Sequence, residues 1–234
     1  MNRTSIEWTE YTWNPVTGCS PVSPGCANCY ARRIYERFHR DFTPKFHPEK
    51  LKEARKLPPH SLVFVNSTSD LFHENIAFAD INAVFNEIRN RPDVIFQILT
   101  KRPERALEYS NLYMNIPYNA WIGVSVENRD YLWRIDVLRQ INAVNRFVSF
   151  EPLIGPVGKV NLEKIKWVIV GGESGPKHRE MNVEWVREIR DQAIAQNIPF
   201  FFKQWGGPRP GGQAVLDGRE WKEYPKGMIL EVKE

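Results

Sequence analysis

Three cysteines lie within eleven residues of this chain, in the segment TGCSPVSPGCANCYA. Cys19, Cys26 and Cys29 are the only cysteines among 234 residues, and their spacing is CxxxxxxCxxC. The segment is rich in glycine, proline and serine, which is typical of an irregular loop. We call residues 17–31 the cysteine loop. An odd number of clustered thiols does not fit a set of disulfides, so the pattern indicates metal binding or redox chemistry.

Several chemistries remain open for these thiols. They could be cysteines without a role, although a polar loop is a poor place for core residues. Cys26 and Cys29 could form a CxxC redox pair, although CANC lacks the helix start that such pairs use. The three thiols and one histidine could hold a structural zinc ion, which needs four protein ligands. The candidate histidines are His39, His47, His60, His73 and His178.

An iron–sulfur cluster is the alternative that explains the number three. A cluster of four irons takes one thiolate on each iron, so three cysteines leave one iron without a protein ligand. A small molecule could chelate that open iron. This interpretation predicts a 4Fe–4S cluster held by Cys19, Cys26 and Cys29, with the three sulfur atoms facing a common site.

Composition bounds the class of protein. The chain is 42% hydrophobic and 26% charged, which is close to a globular average, and its net charge of +4 permits a nucleic-acid partner without requiring one. There is no apolar run of 18 residues and no signal-peptide core at the start, so we expect no membrane span and a cytoplasmic protein. The sequence does not indicate an oligomeric state.

Short apolar runs alternate with stretches of helical periodicity. The runs are four to seven residues long and rich in Val, Ile and Phe, which is typical of buried strands. The helical stretches are FADINAVFNEIRN, RDYLWRIDVLRQI and EWVREIRDQAIAQ. This alternation predicts an α/β fold of parallel βα units. The predicted strands cover residues 61–66, 94–99, 121–126, 146–150, 167–171 and 199–203.

Polar residues follow each predicted strand. Because the carboxyl ends of parallel strands share one edge, these residues should form a polar basin at one mouth of a barrel. They are Asn66, Ser67, Ser69, Asp70, Thr100, Lys101, Arg102, Ser125, Glu127, Asn128, Ser149, Glu151, Gly171, Gly172, Glu173, Ser174, Lys203 and Gln204.

Motifs along nearly the whole chain carry a resemblance to a known family. They are YTWNPVTGCSPVSPGCANCYARR, VNSTSDLFHE, ILTKRPER, WIGVSVEN, SFEPLIGP, WVIVGGESG and PFFFKQWGG. The sequence resembles phage-associated three-cysteine-motif proteins of unknown function. These are related to the radical S-adenosylmethionine superfamily, and distantly to its spore photoproduct lyase-like members. The superfamily usually has CxxxCxxC, and its Gly-Gly-Glu triplet usually follows an early strand rather than a late one.

The resemblance implies a fold and a cofactor chemistry. The fold would be a partial (β/α)6-type parallel barrel over residues 1–205, with a first strand within residues 7–16. Residues 206–234 would form a Gly/Pro-rich tail packed on the barrel. S-adenosyl-L-methionine would bind the open iron, and the reduced cluster would cleave it to methionine and a 5′-deoxyadenosyl radical.

The polar strand ends supply candidate ligands for that cofactor. Its ammonium group needs an acceptor, its ribose needs short polar groups, and its carboxylate needs cations. We therefore expect cofactor contacts from Ser67, Ser69, Ser125, Glu127, Glu151 and Glu173, with Gly171 and Gly172 allowing close approach. Asp70 is a further candidate for the ribose, and Lys101, Arg102 and Arg129 for the carboxylate. The catalytic residues cannot be named from the sequence.

A basic stretch, ARRIYERFHR, follows the last cysteine. As a helix it would carry Arg33, Arg37 and Arg40 on one side, with Ile34, Tyr35 and Phe38 free to face the core. The basic side is either an ordinary solvated surface or a contact for phosphate groups.

Two functions therefore remain open. The first is a radical S-adenosylmethionine enzyme that needs an external reductant and acts on a substrate that could be nucleic acid. The alternative is a non-enzymatic nucleic-acid-binding protein with a zinc site of three cysteines and one histidine.

Overall fold

Seven neighbouring parallel strands form the centre of the molecule. The structure is a computed structural model, and it describes residues 2–114, 116–209, 211–212 and 214–227. A short antiparallel strand, β1 (Asn2–Arg3), lies at one edge of the sheet. The parallel strands are β2 (Tyr11–Trp13), β5 (Leu62–Val65), β6 (Ile95–Thr100), β7 (Ala120–Ser125), β8 (Asn145–Phe150), β9 (Trp167–Gly171) and β10 (Phe200–Gln204).

The strands lie side by side in chain order, from β1 and β2 to β10. Each of the six pairings between successive parallel strands has a parallel register. Within the described residues the two edges, β1 and β10, do not pair with each other, so the sheet is an open, partial barrel. The predicted α/β fold with a parallel half-barrel is confirmed.

Helices connect most of these strands. They are α1 (Tyr30–Arg37), α2 (Phe78–Arg89), α3 (Pro103–Tyr113), α4 (Trp133–Leu138) and α5 (Val183–Ala195), with 3-10 turns at Pro24–Cys26, Pro48–Lys56 and Arg129–Tyr131. The predicted helix over residues 129–141 is instead a 3-10 turn followed by the short α4. The sequence patterns did not indicate α3. No helix in the described part of the chain is long and apolar enough to cross a membrane.

Alternate residues of each strand pack into two separate layers, as the two-residue repeat of a strand requires. The outer layer joins the sheet to the helices, and it includes Val63 and Val65. The inner layer fills the lumen of the partial barrel with large side chains, mostly aromatic. Both layers are buried, which explains why the strands read as continuous apolar runs. The inner layer consists of Trp8, Leu62, Phe64, Ile95, Trp121, Phe147, Trp167, Ile169 and Phe201.

The segment after β10 covers the free edge of that strand. The Phe202 N–H donates to the Trp221 carbonyl (2.8 Å), and Trp167 Nε1 donates to the Glu223 carbonyl (2.9 Å). A small hairpin of β11 (Val215–Leu216) and β12 (Arg219–Glu220) precedes these contacts. The domain boundary at residue 206 stays a prediction, and residues 210, 213 and 228–234 of the tail lie outside the described part.

Candidate iron–sulfur site at the barrel mouth

The cysteine loop begins where two small strands fix it beside the end of β5. Strands β3 (Val16–Thr17) and β4 (Lys45–Phe46) pair with each other. The Val16 N–H donates to Asn66 Oδ1 (3.0 Å), and Ser69 Oγ donates to the Val16 carbonyl (2.8 Å). Gly18 then turns the chain with a φ of +79°, where a Cβ would lie 2.3 Å from the Thr43 carbonyl oxygen. The loop therefore starts at the carboxyl ends of the strands, which we call the mouth.

Cys19 lies against a cation at the end of β6. Arg102 Nη1 is 3.6 Å from Cys19 Sγ, and the same guanidinium donates to Ser20 Oγ (2.9 Å) and to Asp70 Oδ2 (3.3 Å). Asp70 is buried and also accepts from Thr100 Oγ1 (2.7 Å). Burial and the Asp70 charge raise the pKa of the Cys19 thiol to about 11, against the opposing effect of Arg102.

Cys26 lies against the neighbouring cation of the same strand end. Lys101 Nζ is 4.0 Å from Cys26 Sγ, and Ser23 Oγ is 3.7 Å from it. Burial alone would raise the pKa of the Cys26 thiol, but Lys101 and the hydrogen bonds from Ser23 outweigh burial and hold that pKa below its ordinary value. Consecutive residues of one strand end thus contact two of the three cysteines.

Cys29 is placed by the start of α1. Its N–H donates to the Cys26 carbonyl (3.3 Å), and its own carbonyl accepts from the Arg33 N–H (3.2 Å). All three cysteines are free thiols and only partly exposed. The loop therefore brings three cysteines that form no disulfide bond to the mouth of the barrel.

The three cysteines do not form a ready-made site for a single metal ion with other described side chains. Within the described residues, no group of three or more His, Cys, Asp or Glu side chains is arranged to hold one ion. A cluster binds each thiolate to a different iron, so its ligands need not meet at one point. The buried His73 places Nε2 2.8 Å from Ser20 Oγ rather than on a thiol. The iron–sulfur cluster and the zinc alternative both stay predictions.

Glu127 is fully buried, and its contacts hold the cysteine loop. It accepts from Ser23 Oγ (2.5 Å), pairs with Lys101 Nζ (2.9 Å) and pairs with Arg134 Nη1 (2.9 Å). A Cβ on Gly25 would lie 2.4 Å from Glu127 Cγ, so glycine lets the loop approach this carboxylate.

Glu173 has a similar position on the other side of the loop. It accepts from Asn28 Nδ2 (3.0 Å) and from the Arg179 N–H (2.9 Å), while Arg179 Nη2 donates to the Pro24 carbonyl (2.9 Å). Burial would raise the pKa of Glu173, but hydrogen bonds from Arg179 and Asn28 hold that pKa below its ordinary value. Its carboxylate is therefore occupied by the protein itself.

Glu151 differs from these two carboxylates. It pairs with Lys203 through Oε2 (3.2 Å), but its Oε1 is buried and has no hydrogen-bond partner among the described residues. Ser149 Oγ is likewise buried and has no partner in the part of the chain that the structure describes. Ser149, Glu151, Gly171 and Lys203 each lie two or four residues beyond an inner-layer residue of their strand, so they extend the lumen face to the mouth. A Cβ on Gly171 would lie 2.5 Å from Glu151 Oε1.

The three serines predicted as cofactor ligands form hydrogen bonds within the protein. Ser67 Oγ donates to Asn14 Oδ1 (3.2 Å), and the Ser67 carbonyl accepts from the Tyr30 hydroxyl. The Ser69 hydroxyl is committed to the cysteine loop, as described above. The Ser125 carbonyl accepts from Arg134 Nη1 (2.8 Å). Their roles as cofactor ligands stay predictions.

Gly172 and the predicted cations also have structural contacts. A Cβ on Gly172 would lie 2.0 Å from the Trp205 carbonyl oxygen, so glycine is needed between the ends of β9 and β10. Lys101 and Arg102, expected to bind the carboxylate of the cofactor, contact thiols and the buried carboxylates Glu127 and Asp70. Their role as cofactor ligands stays a prediction. Arg129 lies in the 3-10 turn after β7, where its N–H donates to the Pro156 carbonyl (3.0 Å).

The orientation predicted for α1 is wrong. Ile34 and Phe38, expected to face the core, are 44% and 58% exposed, whereas Arg33 points inward and donates to the Ser174 carbonyl. The surface beneath this helix is the polar mouth rather than an apolar core, so a cation faces inward there. Sequence reasoning also missed Asn28 and Arg179, which join the cysteine loop to the loop after β9.

The fold and the loop together define a partial α/β barrel that carries three thiols across its mouth. This is the fold of spore photoproduct lyase, a radical S-adenosylmethionine enzyme. The chain belongs to the family described as protein of unknown function (DUF5131), which matches residues 3–225. No curated protein matches the sequence.

Two solved structures of spore photoproduct lyase variants are similar to this chain. One, with bound AdoMet and dinucleoside spore photoproduct, has a TM-score of 0.51 and 12% identity over 82% of this chain. The second has a TM-score of 0.53 and 13% identity over 87% of this chain. The chain spans 63% and 58% of the lengths of those two proteins. At these identities the likeness shows the fold.

Proposed function

We propose that this chain is an iron–sulfur protein of the radical S-adenosylmethionine type. In this proposal Cys19, Cys26 and Cys29 hold a 4Fe–4S cluster, and S-adenosylmethionine occupies the open iron. When bound and reduced, the cluster supplies the electron that cleaves S-adenosylmethionine. The observation that carries the proposal is the placement of three free thiols at the mouth of a barrel whose fold is that of spore photoproduct lyase.

The unpaired group at the mouth suits the amino acid part of the cofactor. Glu151 Oε1 is a buried acceptor that receives no hydrogen bond from any described residue, and an ammonium group would satisfy it. Lys203 lies on the same lumen face and could neutralise a carboxylate. Glu127 and Glu173, which hold the loop, would keep the thiols in place. Of the three predicted glutamates, Glu151 is therefore the proposed cofactor contact.

Nucleic acid is the proposed class of substrate. The structurally similar lyase has a bound dinucleoside photoproduct, and the exposed cations Arg37, Arg40 and Lys177 lie on elements that adjoin the cysteine loop. The reaction requires a one-electron donor from outside the chain. A cytoplasmic location and a phage association remain part of the proposal.

Anaerobic reconstitution with iron and sulfide tests the cofactor assignment. We expect about four irons per chain from the proposed cluster type, and release of 5′-deoxyadenosine from S-adenosylmethionine after reduction. Cys19→Ala, Cys26→Ala and Cys29→Ala should each abolish that release, whereas Asp191→Asn on the surface of α5 should not. A colourless protein with one zinc ion per chain would instead support the zinc alternative.

A further inference from the structure

Two consecutive cations at the end of β6 contact two different thiols of the cysteine loop. Arg102 Nη1 lies 3.6 Å from Cys19 Sγ, and Lys101 Nζ lies 4.0 Å from Cys26 Sγ. Both side chains are largely shielded from water, with 9% and 18% of their side-chain surface exposed. Charges in such a setting interact more strongly than charges in bulk water.

Each cation is held in place by a buried carboxylate. Asp70 Oδ2 lies 3.3 Å from Arg102 Nη1, and Glu127 Oε1 lies 2.9 Å from Lys101 Nζ. Both carboxylates have further partners in the protein, Thr100 for Asp70 and Arg134 for Glu127. The positions of the two cations are therefore fixed before any cofactor binds.

We propose that Lys101 and Arg102 set the reduction potential of the cluster held by the cysteine loop. This inference rests on the proposed function, and it assigns a role to residues that the cofactor assignment does not use. One-electron reduction takes an electron from an external donor, which is oxidised, and leaves the thiolate-bound cluster one charge more negative. Two adjacent cations stabilise that reduced state, so they make reduction easier.

Lys101 gives the cleaner test, because Arg102 also holds Ser20 and Glu74. Replacing Lys101→Met removes the charge and keeps the length of the side chain. We expect the equilibrium constant for one-electron reduction to fall about tenfold, which corresponds to a potential about 59 mV lower. Lys101→Arg keeps the charge and should restore the potential of the wild type.

A second variant should change the reduction potential of the cluster in the opposite direction. Glu127→Gln removes a negative charge beside Lys101 while keeping acceptor and donor atoms of similar shape. The potential should therefore rise in Glu127→Gln. Lys166→Met is the matched control, because this exposed lysine precedes β9 at the opposite end of the strands.

The reduction potential of each reconstituted protein is measured by a redox titration without S-adenosylmethionine. The visible absorbance of the cluster monitors the titration. A lower potential in Lys101→Met, a higher one in Glu127→Gln, and wild-type values in Lys101→Arg and Lys166→Met are the expected results. If Lys101→Met does not take up iron, Lys101→Gln, which also removes the charge but keeps a polar end near Glu127, is compared with the wild type and decides the question. Equal potentials in all loaded proteins would overturn this inference and leave the proposed function intact. A wild-type protein that takes up no iron and sulfide would overturn both.

Discussion

The mouth of the barrel has two sides that differ in how fully their polar groups are paired. On the loop-holding side, Asp70, Lys101, Arg102, Glu127 and Glu173 all contact the cysteine loop or a residue that holds it. On the open side, Ser149 and Glu151 keep buried polar atoms without partners among the described residues. Paired groups fix a geometry, whereas a buried unpaired group marks a place for a ligand or water. In the proposed function, the paired side would support the cysteine loop and the unpaired side would bind the cofactor.

The largest expected difference between the two sides is in stability. Glu127→Ala leaves the buried Arg134 and Lys101 without their carboxylate, so the free energy of unfolding should fall by about 3–5 kcal/mol. Glu151→Ala on the open side should lower it by only about 1–2 kcal/mol, because its partner Lys203 keeps 23% of its side-chain surface exposed. Urea unfolding of both variants, followed by circular dichroism, measures the two values. Equal losses would mean that the two sides are not distinct.

The close approach of the cysteine loop gives a second test of the loop-holding side. Gly25→Ala places a Cβ against the Glu127 side chain, which Lys101 and Arg134 prevent from moving. We expect a loss of about 1–3 kcal/mol in the free energy of unfolding. Gly207→Ala is the control, since its Cβ would meet nothing closer than the Arg209 carbonyl oxygen at 3.9 Å. A Gly25→Ala protein as stable as its control would contradict the tight approach.

A substitution on the open side should lower the affinity of the protein for S-adenosylmethionine. Glu151→Gln removes the charge that an ammonium group would contact, so the affinity of the cluster-loaded protein for S-adenosylmethionine should fall about tenfold or more. Calorimetric titration measures this affinity. Glu188→Gln, an exposed residue of α5, is the charge-matched control. If Glu151→Gln binds as tightly as the control, the open side is not where the ammonium group is bound.

The smallest change in the free energy of unfolding is expected outside both sides, at the exposed residue that follows α1. Phe38 is 58% exposed, so Phe38→Ala should change the free energy of unfolding by about 0.5 kcal/mol or less. Phe85→Ala, in the fully buried face of α2, should reduce it by about 3–5 kcal/mol. The same urea experiment compares them. A large loss of unfolding free energy in Phe38→Ala would mean that Phe38 faces the core, as the sequence predicted.

Much of the fold could be predicted from local patterns. The apolar runs mark the parallel strands because both faces of the sheet are buried, and Asn182 caps α5 by accepting from the Glu184 N–H (2.8 Å). Helix α3 was missed because it begins at Pro103 directly after the polar end of β6. Its four buried residues, Pro103, Ala106, Tyr109 and Ser110, include no large aliphatic side chain, so the helix lacks the apolar repeat that marks α2 and α5.

The sequence could not predict which of the three glutamates contact the cysteine loop and which one keeps an unpaired oxygen. Glu127, Glu151 and Glu173 all follow a strand and look alike in sequence. What separates them is contact with distant residues, since Ser23 lies 104 positions from Glu127 and Asn28 lies 145 positions from Glu173. The orientation predicted for α1 was wrong for the same reason, because the surface under that helix is formed by distant residues such as Ser67 and Ser174.

The pairing of the tail with β10 has a consequence for biosynthesis. Until residues 221–224 have left the ribosome, the last strand keeps a row of unpaired backbone groups, and such an edge promotes association with other chains. The same segment contacts the beginning of the chain, because the Tyr224 hydroxyl donates to the Glu7 carbonyl (2.9 Å). Nascent chains arrested before Trp221 should therefore aggregate, whereas chains released after Tyr224 should stay monodisperse in light scattering.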